Sequence, residues 1–374
     1  MTNDSKSIVL VIDDEPGLVN LRPEVGFTLR ALHPSELTAD LLAEADLVLI
    51  DHALKNWTFE VEPPYACLPD DGVALAGIVR AHLRSMHDAS PAAVALYSGA
   101  LKDLTLEAEP QEHLVAMAFG LEWAFAKTQR PEFPELSIQV KVLVDAVSAL
   151  PRKWDDDDPD KLANQVKQLL GIDGVPFAGG AFAEVERCRP PMHHLSEWTS
   201  GLAMLRWLLH RVLPYPCFLL NHSQLALRLR VDEGWLSEHL KPGTSLFKAL
   251  DQARYSGALA GFIGERWWWT GCGFLIREAV GAPLSSLNQI HDWLRATSGV
   301  DTKRLEVEQP VLTFDADGYF TGVRGLKECV RIQPDNWPSY AEEPWCVREQ
   351  ARADPALKRL VVTADLDLVE GMGS

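Results

Sequence analysis

Near the start of the chain stands the stretch Ile8-Val9-Leu10-Val11-Ile12-Asp13-Asp14-Glu15-Pro16, in which an unbroken apolar run, rich in β-branched residues, stops at acidic residues and a proline. Apolar runs without polar alternation predict strands buried on both faces, as in a parallel sheet between helices. Three later runs have the same form: 45–50, 92–97 and 121–126. Apolar residues at helical spacing occupy the intervening segments 72–84, 112–119 and 136–150. Strands that alternate with helices predict an α/β fold.

The chain has 374 residues, enough for two domains. Its 53 Asp and Glu residues outnumber 35 Lys and Arg residues, which gives a net charge of -18. This charge disfavours nonspecific binding to nucleic acid and to anionic membranes. No apolar run approaches the roughly eighteen residues of a membrane span, and the N-terminus lacks the pattern of a signal peptide. With six scattered cysteines that we expect to be reduced, these features predict a cytoplasmic protein.

The stretch 151–160 is acidic, contains two prolines and lacks periodicity, so it predicts a linker. We therefore expect one domain at 1–150 and another at 161–374. Only Trp57 and Trp123 of the 12 tryptophans precede residue 150, so the second domain is rich in tryptophan. Its patterns predict a mainly helical or α+β domain, with helices at 160–170, 194–213, 223–240, 245–258 and 285–298 and short strands at 310–314 and 359–363.

Chemically useful side chains follow the predicted strands. Asp13 and Asp14 follow the first run, and Asp51, Ser98 and Lys127 follow the later ones. Ligands of an open parallel sheet bind outside the carboxyl ends of its strands. Converging carboxylates repel each other, and a hard divalent cation such as Mg²⁺ relieves that repulsion. A carboxylate can then attack phosphorus, while a lysine and a hydroxyl bind the phosphoryl oxygens.

These residues stand in motifs that resemble the receiver domain of response regulators. The matching stretches are, in chain order, 11–16, 47–51, 71–75 with 79–80, 96–99 and Lys127. The resemblance covers the first 150 residues and implies a flavodoxin-like, doubly wound parallel sheet.

By this resemblance, Asp51 accepts a phosphoryl group from a sensor histidine kinase. Asp13, Asp14 and Asp51 would ligate Mg²⁺, and Ser98 and Lys127 would bind the phosphoryl group and report its presence.

The chain departs from the receiver pattern at several places. The stretch between Glu15 and Val25 is short and contains Pro23, so we expect the first helix to be truncated or missing. An insertion at 54–70 borders the expected phosphorylation site, and Thr128 follows Lys127 where the family usually has proline.

The segment 223–240 has the apolar rhythm of a helix-turn-helix motif, with a predicted core of Leu225, Ala226, Leu229, Val231, Leu236 and Leu240. Arg230 occupies the turn position where glycine is usual and should tolerate a left-handed backbone poorly. Asp232, Glu233 and Glu238 give the second helix the wrong charge for a DNA groove. Packing of two helices is therefore the favoured interpretation, with DNA binding as the alternative.

The C-terminal half contains two further motifs rich in aromatic or metal-ligating side chains. Trp267-Trp268-Trp269, beside Arg266, is either a strand buried on both faces or a surface that meets a ligand or partner. Cys188, His193 and His194 have the ligand types of a zinc site but not its usual spacing.

The sequence thus predicts a two-component response regulator whose C-terminal domain acts through contacts with an unidentified protein partner. The alternatives are a DNA-binding transcriptional regulator that uses 223–240 and a pseudo-receiver scaffold that works without phosphorylation. Beyond phosphorylation and dephosphorylation of the receiver we expect no enzymatic activity, because the sequence lacks HExxH, GxSxG and GxxxxGK[ST] motifs. A homodimer is compatible with this hypothesis.

Overall fold

The computed structural model describes residues 7–54, 69, 71–86, 90–105, 111–128, 133–155, 157–195, 201–284 and 286–370. The chain forms two units, each built from separate stretches. Unit 1 comprises Met1–Gly174, Arg189–Pro214 and Ser256–Gly264, and unit 2 comprises Val175–Cys188, Tyr215–Tyr255 and Glu265–Ser374. The expected linker at 151–160 therefore lies inside unit 1.

The strands of the described residues are β1 (Ile8–Ile12), β2 (Thr28–Leu32), β3 (Leu47–Ile50), β4 (Ala93–Ser98), β5 (Ala124–Ala126), β6 (Leu219–Leu220), β7 (Trp267–Trp268), β8 (Pro310–Phe314), β9 (Phe320–Gly325), β10 (Cys329–Arg331) and β11 (Trp345–Val347). The α-helices are α1 (Ala39–Glu44), α2 (Gly72–Ser85), α3 (Glu112–Phe119), α4 (Leu136–Ser148), α5 (Pro159–Leu169), α6 (Ala178–Arg187), α7 (Leu202–Trp207), α8 (His222–Leu229), α9 (Glu233–His239), α10 (Ser245–Leu250), α11 (Trp269–Val280), α12 (Leu287–Ser298), α13 (Arg348–Ala353), α14 (Pro355–Leu360) and α15 (Leu366–Glu370).

Unit 1 is organised around a parallel sheet with the strand order β2-β1-β3-β4-β5. The predicted α/β fold with a parallel sheet is confirmed. The central strands β1, β3 and β4 are almost wholly buried, as their unbroken apolar sequences require. The edge strand β2 was not predicted, because it is half exposed and carries Arg30 among its apolar residues.

The connection between β1 and β2 contains no α-helix within residues 13–27, all of which the structure describes. Two 3-10 turns stand there instead, Pro16–Leu18 and Pro23–Val25. Each turn begins with a proline, whose fixed φ angle suits the first helical position. The expected insertion at 54–70 lies almost wholly outside the described residues.

Later stretches of the chain complete the core of unit 1. Phe262 is fully buried, and its ring packs edge-on against Trp123 at 5.0 Å and against Phe125 at 6.1 Å between centroids. Gln139 Nε2 donates a hydrogen bond of 3.0 Å to the carbonyl oxygen of Phe262. The segment 256–264 is also tied to α5, where Ala258 N donates to Leu169 O at 2.7 Å. The edge strand β5 is thus covered by residues far away in sequence.

A buried ion pair joins another late segment to the residues just before β5. Glu122 directly precedes Trp123 and is 1% exposed, and its Oε1 lies 2.6 Å from a guanidinium nitrogen of Arg206 in α7. Its Oε2 accepts a hydrogen bond of 2.7 Å from Val94 N. The ring of His210, in the π-helical turn Leu208–Val212 that continues α7, hydrogen-bonds Glu122 O at 2.9 Å. The predicted helix at 194–213 begins at Leu202 among the described residues.

Unit 2 contains a helical core and a small sheet. The helical core surrounds Trp267 and includes α8, α9, α10, α11 and α12. The sheet has the order β10-β11-β8-β9. The prediction of a strand at 310–314 is confirmed by β8, but the strand predicted at 359–363 is wrong. Residues 359 and 360 end α14, a helix that Asp354 caps and that has Pro355 in its first turn. Val361 makes an isolated bridge to Ile332, and Thr363 begins a 3-10 turn, Thr363–Asp365.

Candidate functional site

The five predicted site residues lie where strands of unit 1 end. Asp13 and Asp14 follow β1, Asp51 follows β3, Ser98 ends β4 and Lys127 follows β5. Backbone hydrogen bonds fix three of these positions: Asp13 N to Leu32 O at 3.2 Å, Asp51 N to Ile12 O at 2.9 Å and Lys127 N to Ser98 O at 2.9 Å. The parallel register therefore brings side chains from four strands to one edge of the sheet.

The three carboxylates form a group that could hold a metal ion. One oxygen from each of Asp13, Asp14 and Asp51 lies within 4.8 Å of the others. Asp13 and Asp51 are 3% and 7% exposed, so their charges are poorly screened by solvent. Hard carboxylate oxygens at this spacing fit a small divalent cation. Among the described residues, no other group of three His, Cys, Asp or Glu side chains has such geometry.

Lys127 bridges two of these carboxylates. Its Nζ lies 2.8 Å from Asp13 Oδ2 and 3.1 Å from Asp51 Oδ2. Burial by itself lowers the pKa of Lys127, but the hydrogen bond to Asp13 and the charge of Asp51 outweigh burial, so the pKa is raised. The ammonium therefore stays protonated. The second oxygen of Asp13, Oδ1, accepts a hydrogen bond of 2.8 Å from Glu15 N, which fixes the orientation of the carboxylate.

Ser98 is 1% exposed, and its Oγ accepts a hydrogen bond of 3.1 Å from Ala100 N. It pairs in register with Ala126, the residue before Lys127. Because the serine oxygen accepts in this bond, the hydroxyl keeps its own hydrogen for donation.

Close packing against Asp51 explains the glycine of the Asp71-Gly72 motif. Asp71 caps α2 by accepting a hydrogen bond of 2.8 Å from Ala74 N. A Cβ added at Gly72 would lie 1.9 Å from the carbonyl oxygen of Asp51, and only glycine permits this approach. The helix start therefore packs directly behind the Asp51 backbone.

Tyr97 belongs to this site but was not predicted, because an aromatic residue at the end of a buried strand resembles a core residue. Lys127 Nζ lies 5.1 Å from the centre of the Tyr97 ring. Burial raises the pKa of Tyr97, while a hydrogen bond from the Asn20 backbone and the charge of Lys127 act in the opposite direction. The position of Tyr97 directly before Ser98 was the available signal.

The other candidates form no comparable site. The described Cys188, His193 and His194 do not form a metal-ligand group. Trp267 and Trp268 are buried in β7, as the interpretation of a strand buried on both faces requires, while Trp269 is half-buried at the start of α11.

The segment 223–240 forms the helix pair α8 and α9 in unit 2. Arg230 between them adopts the left-handed conformation, with φ 57° and ψ 41°. The tight turn therefore forms, although arginine was expected to tolerate this conformation poorly. Asp232 caps α9 through a hydrogen bond of 3.0 Å from Trp235 N and pairs with Lys303 at 3.2 Å. Acidic residues thus stand at the start of the second helix.

No model of a known protein family matches the sequence, and no curated protein is similar to it. In the part of the chain that the structure describes, no helix combines the length and apolar character needed to cross a membrane.

Proposed function

We propose that unit 1 contains a receiver of the response-regulator type, in which Asp51 accepts a phosphoryl group from a sensor histidine kinase. The observation that carries this proposal is Lys127 Nζ held between Asp13 and Asp51 at the carboxyl edge of the sheet. The strand order β2-β1-β3-β4-β5 supports a flavodoxin-like fold. The protein would act in the cytoplasm, where such kinases present their phosphohistidine.

In the proposed transfer, an Asp51 carboxylate oxygen attacks phosphorus. The bond between phosphorus and the donor's imidazole nitrogen breaks, and that nitrogen keeps the electron pair. The Lys127 ammonium and the Ser98 hydroxyl would donate hydrogen bonds to the phosphoryl oxygens. Mg²⁺ bound by Asp13, Asp14 and Asp51 would offset the negative charge of the phosphoryl group.

The arrangement of β5 suggests how the phosphorylated state reaches other residues. Lys127 follows this strand directly, and Phe125 within it packs on Phe262. A phosphoryl group on Asp51 adds negative charge and draws Lys127 away from Asp13. We infer that this movement changes the packing of 256–264 and thereby alters contacts with a protein partner.

Phosphoryl incorporation tests the proposal directly. The full chain would be incubated with Mg²⁺ and acetyl phosphate, and intact-mass spectrometry would measure the covalent adduct. We expect the wild type and the control Asp40→Asn, at an exposed position in α1, to gain one phosphoryl group, and Asp51→Asn to gain none. Equal incorporation by Asp51→Asn would contradict the assignment of Asp51. Absence of incorporation in the wild type would favour the pseudo-receiver alternative.

DNA binding by unit 2 is the second candidate function. The left-handed turn at Arg230 between α8 and α9 favours it, while Glu233 and Glu238 on α9 oppose it. Binding of duplex DNA with an affinity that falls steeply with salt would support this candidate, and a lack of binding at low salt would exclude it.

A further inference from the structure

The ammonium of Lys127 has an aromatic neighbour as well as its two carboxylates. The ring of Tyr97 lies 5.1 Å from Nζ, while Asp13 and Asp51 lie at 2.8 Å and 3.1 Å. A cation this close to an aromatic ring is attracted by the negative face of the ring. The ammonium is therefore held by two kinds of contact.

The ring itself has little freedom to move. Tyr97 is 2% exposed in β4, where it pairs in register with Phe125. The backbone of Asn20 hydrogen-bonds its phenol group, and this residue lies in the short connection that replaces a first helix. Tyr97 thus offers a fixed surface next to the site.

We infer that Tyr97 is a positioning residue that keeps the Lys127 ammonium at the acidic edge during phosphoryl transfer; this inference rests on the proposed function. The carboxylate contacts of Lys127 must rearrange when a phosphoryl group enters, whereas the ring contact does not depend on them. The lysine side chain is flexible and 31% exposed, so loss of the ring would let the ammonium turn towards solvent.

The test measures the rate of phosphoryl incorporation at varied acetyl phosphate concentration and constant Mg²⁺. Tyr97→Leu removes the aromatic face but keeps an apolar side chain, and Tyr97→Phe keeps the face but removes the hydroxyl. We expect Tyr97→Leu to lower the maximal rate about 5-fold with little change in the half-saturating concentration, and Tyr97→Phe to stay within about 2-fold of the wild type.

A second comparison separates positioning from a general loss of structure. In a Lys127→Ala background, Tyr97→Leu should cause no further loss of rate, because the two residues act through one contact. Tyr97→Met serves in place of Tyr97→Leu if the latter fails to fold, as judged by thermal unfolding.

Four results would overturn the inference. The first is a maximal rate of phosphoryl incorporation for Tyr97→Leu equal to that of the wild type. The second is a loss of rate in Tyr97→Phe as large as that in Tyr97→Leu, which would assign the effect to the hydroxyl. An additive loss in the Lys127→Ala background would show that Tyr97 acts elsewhere. Absence of phosphoryl uptake by the wild type would overturn the proposed function together with this inference. The other results would overturn the inference alone, so the two kinds of failure can be distinguished.

Discussion

Phe262 packs edge-on against Trp123, with 5.0 Å between the ring centroids, although the two residues stand far apart in the sequence. Trp123 directly precedes β5, the strand that leads to Lys127. The contact therefore joins a late segment of the chain to the strand that carries a candidate site residue.

Removal of the Phe262 ring should destabilise unit 1. Because the ring is fully buried, Phe262→Ala is expected to lower the free energy of unfolding by about 3–5 kcal/mol. Denaturant unfolding measures this change. The matched control is Phe320→Ala. Because Phe320 is 41% exposed, this substitution should lower the free energy of unfolding much less. Similar losses in both variants would contradict the buried role of Phe262.

The ion pair between Arg206 and Glu122 predicts a strongly asymmetric response to mutation. Arg206→Met leaves the buried Glu122 carboxylate without its guanidinium and should cost about 3–5 kcal/mol of stability. The double variant Arg206→Met with Glu122→Gln should recover much of that loss, because no unpaired charge remains. Arg22→Met, which removes an exposed partner of Glu135, should cost less than about 1 kcal/mol. Failure of the double variant to recover would contradict this account.

Buried histidines should make unit 1 less stable in mild acid. Burial lowers the pKa of His210 to about 4 and that of His113 to about 3, below their ordinary value of 6.5. Their neutral forms stabilise the folded state, so this contribution is complete above about pH 6.5 and is lost as the pH falls towards these values. In this window each histidine lowers the free energy of unfolding by up to about 1.4 kcal/mol for each pH unit of acidification.

Chemical unfolding between pH 7 and pH 5 measures this slope. We expect His210→Gln to have a shallower dependence than the wild type, and His193→Gln, at an exposed position, to keep the wild-type dependence. An unchanged slope in His210→Gln would show that the acid sensitivity arises elsewhere.

Two glycines of α2 should respond in opposite ways to alanine. Gly72→Ala places a Cβ 1.9 Å from Asp51 O, so it should displace the Asp51 backbone and lower both stability and phosphoryl incorporation. A Cβ at Gly77 meets nothing within 4 Å, so Gly77→Ala should stabilise the helix by up to about 1 kcal/mol. Thermal unfolding and intact-mass analysis of the two variants check this pair. Normal phosphoryl incorporation by Gly72→Ala would contradict the steric argument.

The local features of unit 1 were largely predictable. The bounds of β1 and α3 agree with the sequence patterns, and the carboxylates and Lys127 were expected at strand ends, although their roles stay predictions. These features depend on short apolar runs and on parallel register. The cover over β5 was not predictable, because Phe262 contacts Trp123 through tertiary packing that no local pattern encodes. Tyr97 was missed for a related reason, since only the folded sheet brings its ring beneath Lys127.

The three separate stretches of unit 1 have a consequence for its biosynthesis. A ribosome makes the N-terminal stretch first, so β5 emerges long before the residues that cover it. Trp123 and Phe125 stay without Phe262 until translation has passed the stretch Ser256–Gly264, and Glu122 stays without Arg206 until the earlier stretch Arg189–Pro214 has been made. The nascent sheet thus has an interval in which its apolar edge is open to chaperones and to aggregation, and a ribosome that stalls before residue 262 leaves it unfinished.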